Sequence, residues 1–293
     1  MDFLYQAIKK AAGVEEAPTK NVAVEVLPQP EPVRADLKLA QTSNPAALDR
    51  PKKSAPGRKT FEVKHPLDNL VAFLSHPVLE PNIAAMEQCR VLRARLREII
   101  NTRKVRSILL TSAMQGEGKT LLSVNLAYAL SQIEGMKVLL VDADLRRPSV
   151  GSFLKMGKVE GLNKYLVDQA KFEDVCWKLT PSLDVVPTRE LREDSAEMLQ
   201  GNRIREFLAE ATSNYNVVLL DGPPMFPIVD AQVLAQLVDG AVLVVRAHQT
   251  PFDSVRQAAD LLRSKLIGTI LNGIERLPDN HYYSGYMRTP KRK

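Results

Sequence analysis

Residues 107–120 read Ser107-Ile108-Leu109-Leu110-Thr111-Ser112-Ala113-Met114-Gln115-Gly116-Glu117-Gly118-Lys119-Thr120: a short apolar run, a glycine-containing turn, then lysine and threonine. The last eight residues follow the phosphate-cradling pattern G-x-x-x-x-G-K-[ST], with Ala113 in place of the first glycine. Each residue type has a physical reason. Gly116 and Gly118 let the chain turn tightly around Glu117, so that backbone N–H groups converge on phosphate oxygens. A helix opening at Lys119 and running on through Thr120 and Leu121 adds its positive N-terminal end. Residues 116–121 are therefore the expected nucleotide contacts, with Lys119 reaching the β- and γ-phosphates of ATP and the Thr120 hydroxyl ligating Mg²⁺.

Two further apolar runs end in acids. Val138-Leu139-Leu140-Val141-Asp142-Ala143-Asp144-Leu145-Arg146-Arg147-Pro148 places two carboxylates just past a strand, and Val217-Val218-Leu219-Leu220-Asp221-Gly222-Pro223-Pro224 places one. Beside a nucleotide, Asp142 and Asp144 suit Mg²⁺ or its waters, and either can accept a proton from an attacking hydroxyl. Asp221 stands where a strand-end acid coordinates Mg²⁺ in phosphoryl-transfer sites. These motifs leave the phosphoryl acceptor open.

Working outward, apolar runs bounded by turn residues recur at 107–111, 138–141, 183–186, 217–220, 241–245 and 267–271. Helical periodicity separates most of them, at 121–133, 203–212, 229–237 and 254–266, and an additional helix is expected at 82–101. Such alternation predicts an α/β fold, a mostly parallel sheet with helices on both faces and ligands at the C-terminal ends of the strands. The folded nucleotide-binding core is placed at 81–277. Ten of the nineteen prolines fall in the first 81 residues, so 15–80 reads as a linker, largely disordered. Its basic group Arg50, Lys52, Lys53, Arg58 and Lys59 suits either a solvated linker or an anionic surface. Residues 1–14 carry a short amphipathic pattern, which either docks on a partner or frays. The segment 278–293 is polar and basic and holds Tyr282, Tyr283 and Tyr286, three of the seven tyrosines. It reads either as an unpacked end or as a mobile carrier of acceptor hydroxyls.

A formal charge of +6 over 293 residues is mild and gives no case for nucleic acid as a partner. Cys89 and Cys176 are distant in sequence and lack a histidine cluster, which argues for a reducing compartment and against a cysteine metal site. Neither a secretory leader nor an apolar run of membrane-spanning length is evident, so a cytoplasmic location is expected.

Together, the glycine-rich turn, LLVDADLRRP at 139–148, GLNKYL at 161–166, LLDGPP at 219–224 and the helix EQCRVLR at 87–93 resemble the bacterial tyrosine kinases of capsule and exopolysaccharide assembly. The resemblance covers roughly residues 82–286 and implies a SIMIBI-like P-loop fold. It further implies ATP-dependent autophosphorylation in trans, with Lys119, Asp142 and Asp144 catalytic, Thr120, Asp142, Asp144 and Asp221 around Mg²⁺, and Tyr282, Tyr283 and Tyr286 as acceptors. Glu87, Arg90 and Arg93 match the helix by which such kinases pack into rings. A membrane polysaccharide copolymerase as activator, a resetting tyrosine phosphatase and a position peripheral to the inner membrane are implied in the same way. Gly222 departs from the threonine many members carry, and 186–199 replaces a loop richer in proline and glycine. Two other readings stay open: a spatial-organising ATPase of the ParA/MinD kind, and a nucleotide-sensing adaptor that transfers nothing. The first typically carries an additional lysine early in the turn, where this chain has Ser112-Ala113-Met114-Gln115.

Overall fold

The six apolar runs become six of the seven strands of one sheet in a computed structural model that describes residues 83–192 and 194–273. In chain order the elements are α1 (Ile83–Arg103), β1 (Ser107–Ser112), α2 (Lys119–Ser131), β2 (Val138–Asp142), α3 (Val150–Phe153), α4 (Leu162–Leu166) and α5 (Phe172–Val175). There follow β3 (Trp177–Thr180), β4 (Leu183–Val186), α6 (Ser195–Gln200), α7 (Asn202–Asn214), β5 (Val217–Asp221), α8 (Asp230–Leu237), β6 (Gly240–Arg246), α9 (Phe252–Leu262) and β7 (Leu266–Asn272). The sheet order is β3-β4-β2-β5-β1-β6-β7, parallel except for β3.

Both faces of the sheet are covered, which is why β1, β2 and β5 are buried at every position and read as unbroken apolar runs rather than alternating ones. One core packs Phe207, Leu199, Leu234 and Val255 from α7, α6, α8 and α9 against the sheet. The other packs Leu96 and Ile100 of α1 and Leu122, Leu126 and Leu130 of α2 against the opposite face. Parallel pairing brings the C-terminal ends of six strands to one edge. The register there sets Asp142 directly beside Asp221.

The structure departs from the sequence expectation at the sheet edge, at helix ends and in four short helices, α3, α4, α5 and α6, that the periodicity did not announce. The edge strand β3 was not foreseen: four residues, Trp177-Lys178-Leu179-Thr180, are too few to show a period, and only pairing with β4 defines them. The expected helix 254–266 stops at Leu262, because Arg263 takes a positive φ of 48° and Leu266 enters β7. Finally, α1 runs on to Arg103. Among the described residues no helix is long and apolar enough to cross a membrane. The expectations for 1–80 and for 278–293, including Tyr282, Tyr283 and Tyr286, lie outside the described residues.

Candidate nucleotide and phosphoryl-transfer site

The turn after β1 has the backbone its glycines allow. Gly116 and Gly118 take φ values of 83° and 89°, a region that costs other L-residues strain. Lys119 opens α2 with its side chain buried, and its Nζ donates back to Ser112 Oγ at 3.0 Å, while Ser112 Oγ donates to the Met114 carbonyl at 2.5 Å. Burial depresses the ammonium's pKa, and the charges of Asp221, Asp144 and Glu117 oppose that shift. The lysine thus lies along the turn, where oxyanions would meet it.

Glu117 is buried and inward-facing. Its Oε2 accepts from the Met114 N–H at 3.1 Å, and its Oε1 accepts from the Thr250 hydroxyl. Its carbonyl accepts from Asn272 Nδ2 at 2.9 Å. The turn is therefore fastened to the loop after β6 and to the end of β7, leaving its N–H groups as the phosphate-facing functions. Leu121, half-buried in the first turn of α2, follows on the same helix end.

The acids meet the turn from two neighbouring strands. The Thr120 hydroxyl donates to Asp221 Oδ2 at 2.7 Å and lies 2.6 Å from Ser149 Oγ, while Ser123 Oγ donates to Asp221 Oδ1 at 2.9 Å. Asp142 Oδ2 accepts the N–H groups of Ser149 and Val150, each at 2.9 Å, and so caps α3. Its Oδ1 is buried without a hydrogen-bond partner. Burial raises the pKa of both carboxylates; for Asp142 the charge of Asp221 adds to the rise, and the two capping N–H groups oppose it. Asp144 is only half-buried and accepts from the Arg147 N–H at 2.9 Å; burial raises its pKa too, against backbone N–H groups and Lys119.

The donor set fits Mg²⁺. An orphaned carboxylate oxygen, a second buried carboxylate and a threonine hydroxyl are hard oxygen donors, and two like charges held this close want a cation between them. Among the described residues no three His, Cys, Asp or Glu side chains form a self-sufficient cage. That also suits Mg²⁺, which keeps waters and substrate phosphate oxygens beside one or two carboxylates.

Every residue expected around the nucleotide converges here: the turn 116–121, Asp142, Asp144 and Asp221. Glu87, Arg90 and Arg93 do not; they lie on α1, with Arg90 exposed and Arg93 half-buried. The sequence reading missed the supporting residues Ser112, Ser123, Ser149, Thr250 and Asn272. Only Ser123, one helical turn after Thr120, carried a local signal. It also missed a buried anchor: Asp230 Oδ2 accepts Arg146 Nε at 3.0 Å and the Ser195 hydroxyl, tying the turn after β2 to α8 and α6.

Comparison with known proteins agrees with this geometry. Residues 105–263 match the AAA domain family. The chain is 34% identical over 211 residues to the tyrosine-protein kinase YwqD of Bacillus subtilis, covering 71% of this chain and 88% of that one. It is 34% identical over 170 residues to the tyrosine-protein kinase CpsD of Streptococcus agalactiae, covering 56% and 74%. The solved kinase domain of the Escherichia coli tyrosine kinase ETK superposes with a TM-score of 0.63 at 26% identity, covering 79% of this chain and 86% of that one. With a glycine-rich turn, paired strand-end acids and relatives of this kind, the chain belongs to the bacterial tyrosine-protein kinase family.

Proposed function

We propose that this chain transfers the γ-phosphoryl group of ATP to tyrosines of its own C-terminal segment, Tyr282, Tyr283 and Tyr286, in trans between copies. The observation that carries the reading is the side-by-side register of Asp142 and Asp221 against the Lys119–Thr120 turn. In the transfer, the tyrosine oxygen forms a bond to the γ-phosphorus as the bond from that phosphorus to the β–γ bridging oxygen breaks, and ADP leaves. Lys119 and the N–H groups of the turn hold the phosphates and offset charge on the moving group. Thr120, Asp142 and Asp221 would hold Mg²⁺, which neutralises phosphate charge when bound.

The tyrosine proton needs a carboxylate that a hydroxyl can reach. Asp142 is fully buried with one oxygen committed to the α3 cap, whereas Asp144 is half-buried at the mouth, so Asp144 is assigned as the acceptor of that proton. The absence of a lysine from 112–115 favours this reading over a spatial-organising ATPase. At the level of the cell, the reading includes regulation of capsule or exopolysaccharide chain assembly. It also includes a membrane copolymerase as activator, ring-like self-association and a phosphatase that resets the tail.

Full-length protein with Mg²⁺ and ATP, supplied with the cytosolic segment of its activator, should gain phosphotyrosine detectable by intact mass and antibody. Lys119→Met should abolish the gain. Undiminished labelling of a Tyr282→Phe, Tyr283→Phe, Tyr286→Phe triple variant would rule out the tail as acceptor.

A further inference from the structure

At the edge of the sheet opposite the nucleotide turn, where β1 and β6 begin, the surface holds a cavity of about 380 Å³. Small-molecule sites run from about 300 to 1,000 Å³. One wall is a stripe of α7 in which Arg205, Leu208, Ala209 and Thr212 follow the spacing i, i+3, i+4, i+7 and so share a helix face. The other wall is the segment leading from α1 into β1, with Lys104, Arg106 and Ser107. Leu237 and Asp239 close the cavity from the turn between α8 and β6.

The polar groups are fixed in place before any ligand arrives. Asp239 Oδ2 accepts from the N–H groups of Arg106 and Ser107, at 2.8 and 2.9 Å, and from the Ser107 hydroxyl at 3.0 Å, while the Asp239 N–H donates to Ser107 Oγ at 3.0 Å. Those bonds engage one carboxylate oxygen and leave Oδ1 without a partner among the described residues. Arg106 Nη1 donates to the Thr212 carbonyl at 3.2 Å, which orients the guanidinium and leaves its other N–H groups available. Among the described residues no acid pairs with Lys104, Arg106 or Arg205. Lys104 is also strained: it takes a φ of 53° at the first position past α1, where glycine ends a helix without penalty. A lysine held in a glycine conformation points to its side chain as the reason for the residue.

We propose that this cavity is a second binding site, separate from the nucleotide site, and that it takes a phosphorylated sugar. Three cations against one carboxylate leave a formal surplus of two, which matches a phosphate monoester carrying close to two negative charges near neutral pH. Lys104, Arg106 and Arg205 supply charge-assisted donors to its oxygens. Asp239 Oδ1 accepts a hydroxyl of the sugar, and Leu208, Ala209 and Leu237 cover the C–H face of the ring. Neither half of such a ligand suffices. A bare anion would set its charge against Asp239 with no hydroxyl to offer, and an uncharged sugar would leave all three cations unanswered.

Isothermal titration of the full chain, with Mg²⁺ and a non-hydrolysable ATP analogue filling the nucleotide site, tests the cavity with glucose 1-phosphate, glucose 6-phosphate, inorganic phosphate and glucose as probes. A sugar phosphate should bind at a single site per chain, inorganic phosphate at least about tenfold more weakly, and glucose without measurable heat. Arg205→Ala and Lys104→Gly should each weaken the sugar phosphate by about tenfold or more, as expected for loss of a hydrogen bond to a charged group, and leave the Kd for the ATP analogue unchanged. Lys104→Gly should do so with an equal or higher Tm, since it removes the cation and the strained backbone together; lost binding in a fold at least as stable separates a ligand contact from a structural one. No saturable binding of either sugar phosphate, wild-type affinity in both variants, or inorganic phosphate binding as tightly as the sugar esters overturns the proposal.

Discussion

At the scale of single residues, the pair Asp142 and Asp221 trades stability for function. Each carboxylate is buried, and in each the folded pKa lies above the ordinary 3.8, rising for Asp221 to about 6. A raised folded pKa means that the native state binds protons more tightly than the unfolded chain. Between 3.8 and about 6 the folded protein therefore holds more protons, and its stability rises as pH falls through that window. Thermal unfolding of metal-free, nucleotide-free protein should show a higher Tm near pH 5 than near pH 7, and saturating Mg²⁺ should flatten the difference. Asp142→Asn keeps an oxygen for the Ser149 and Val150 N–H groups while removing one charge. We expect it to stabilise the apo protein at pH 7 by on the order of 1 kcal/mol in chemical denaturation, since one pKa unit corresponds to about 1.4 kcal/mol. The same variant should lose phosphoryl transfer by about two orders of magnitude or more. A variant less stable than the wild type at pH 7 would contradict the account.

At the scale of elements, the nucleotide turn borrows its shape from strands it does not belong to. Glu117 is gripped from the loop after β6 by Thr250 and from the end of β7 by Asn272. A Cβ added at Gly118 would meet Asn272 Nδ2 at 2.2 Å, so the latch sits hard against the turn and the position also needs the positive φ of glycine. Thr250→Val with Asn272→Ala removes both grips without touching a phosphate-facing group. The variant should fold, and its Kd for ATP by isothermal titration should rise by about tenfold, as expected for hydrogen bonds each worth about 1 kcal/mol. Unchanged affinity would show that the turn holds its own shape. Sequence separation hides this latch: Thr250 and Asn272 are far from residue 117 along the chain, and neither belongs to a motif.

At the scale of the whole molecule, α1 stands outside the chemistry. It packs Leu96 and Ile100 beside α2 and the sheet, whereas Arg90 is exposed toward its N-terminal end. Removing charge there should leave the site intact and act only on assembly. Glu87→Ala with Arg90→Ala should keep nucleotide affinity at the wild-type value and lower the oligomer mass measured by light scattering. An unchanged mass would count against α1 as a ring contact.

The amino-acid order alone determined the alternating α/β fold, the turn 113–120 and the three strand-end acids, because these depend on local spacing: an apolar run, a glycine turn, an acid at the last position. What local spacing cannot carry, only the tertiary structure decided. It chose which strands are neighbours, and hence that Asp142 pairs with Asp221. It also brought Thr250 and Asn272 onto Glu117, and Asp230 and Ser195 onto Arg146. The edge strand β3 exists only through pairing with β4. The physical reason is the same throughout: a hydrogen bond or a shared burial between residues distant in the chain leaves no periodicity in either segment, and exists only once hydrophobic burial has folded the sheet.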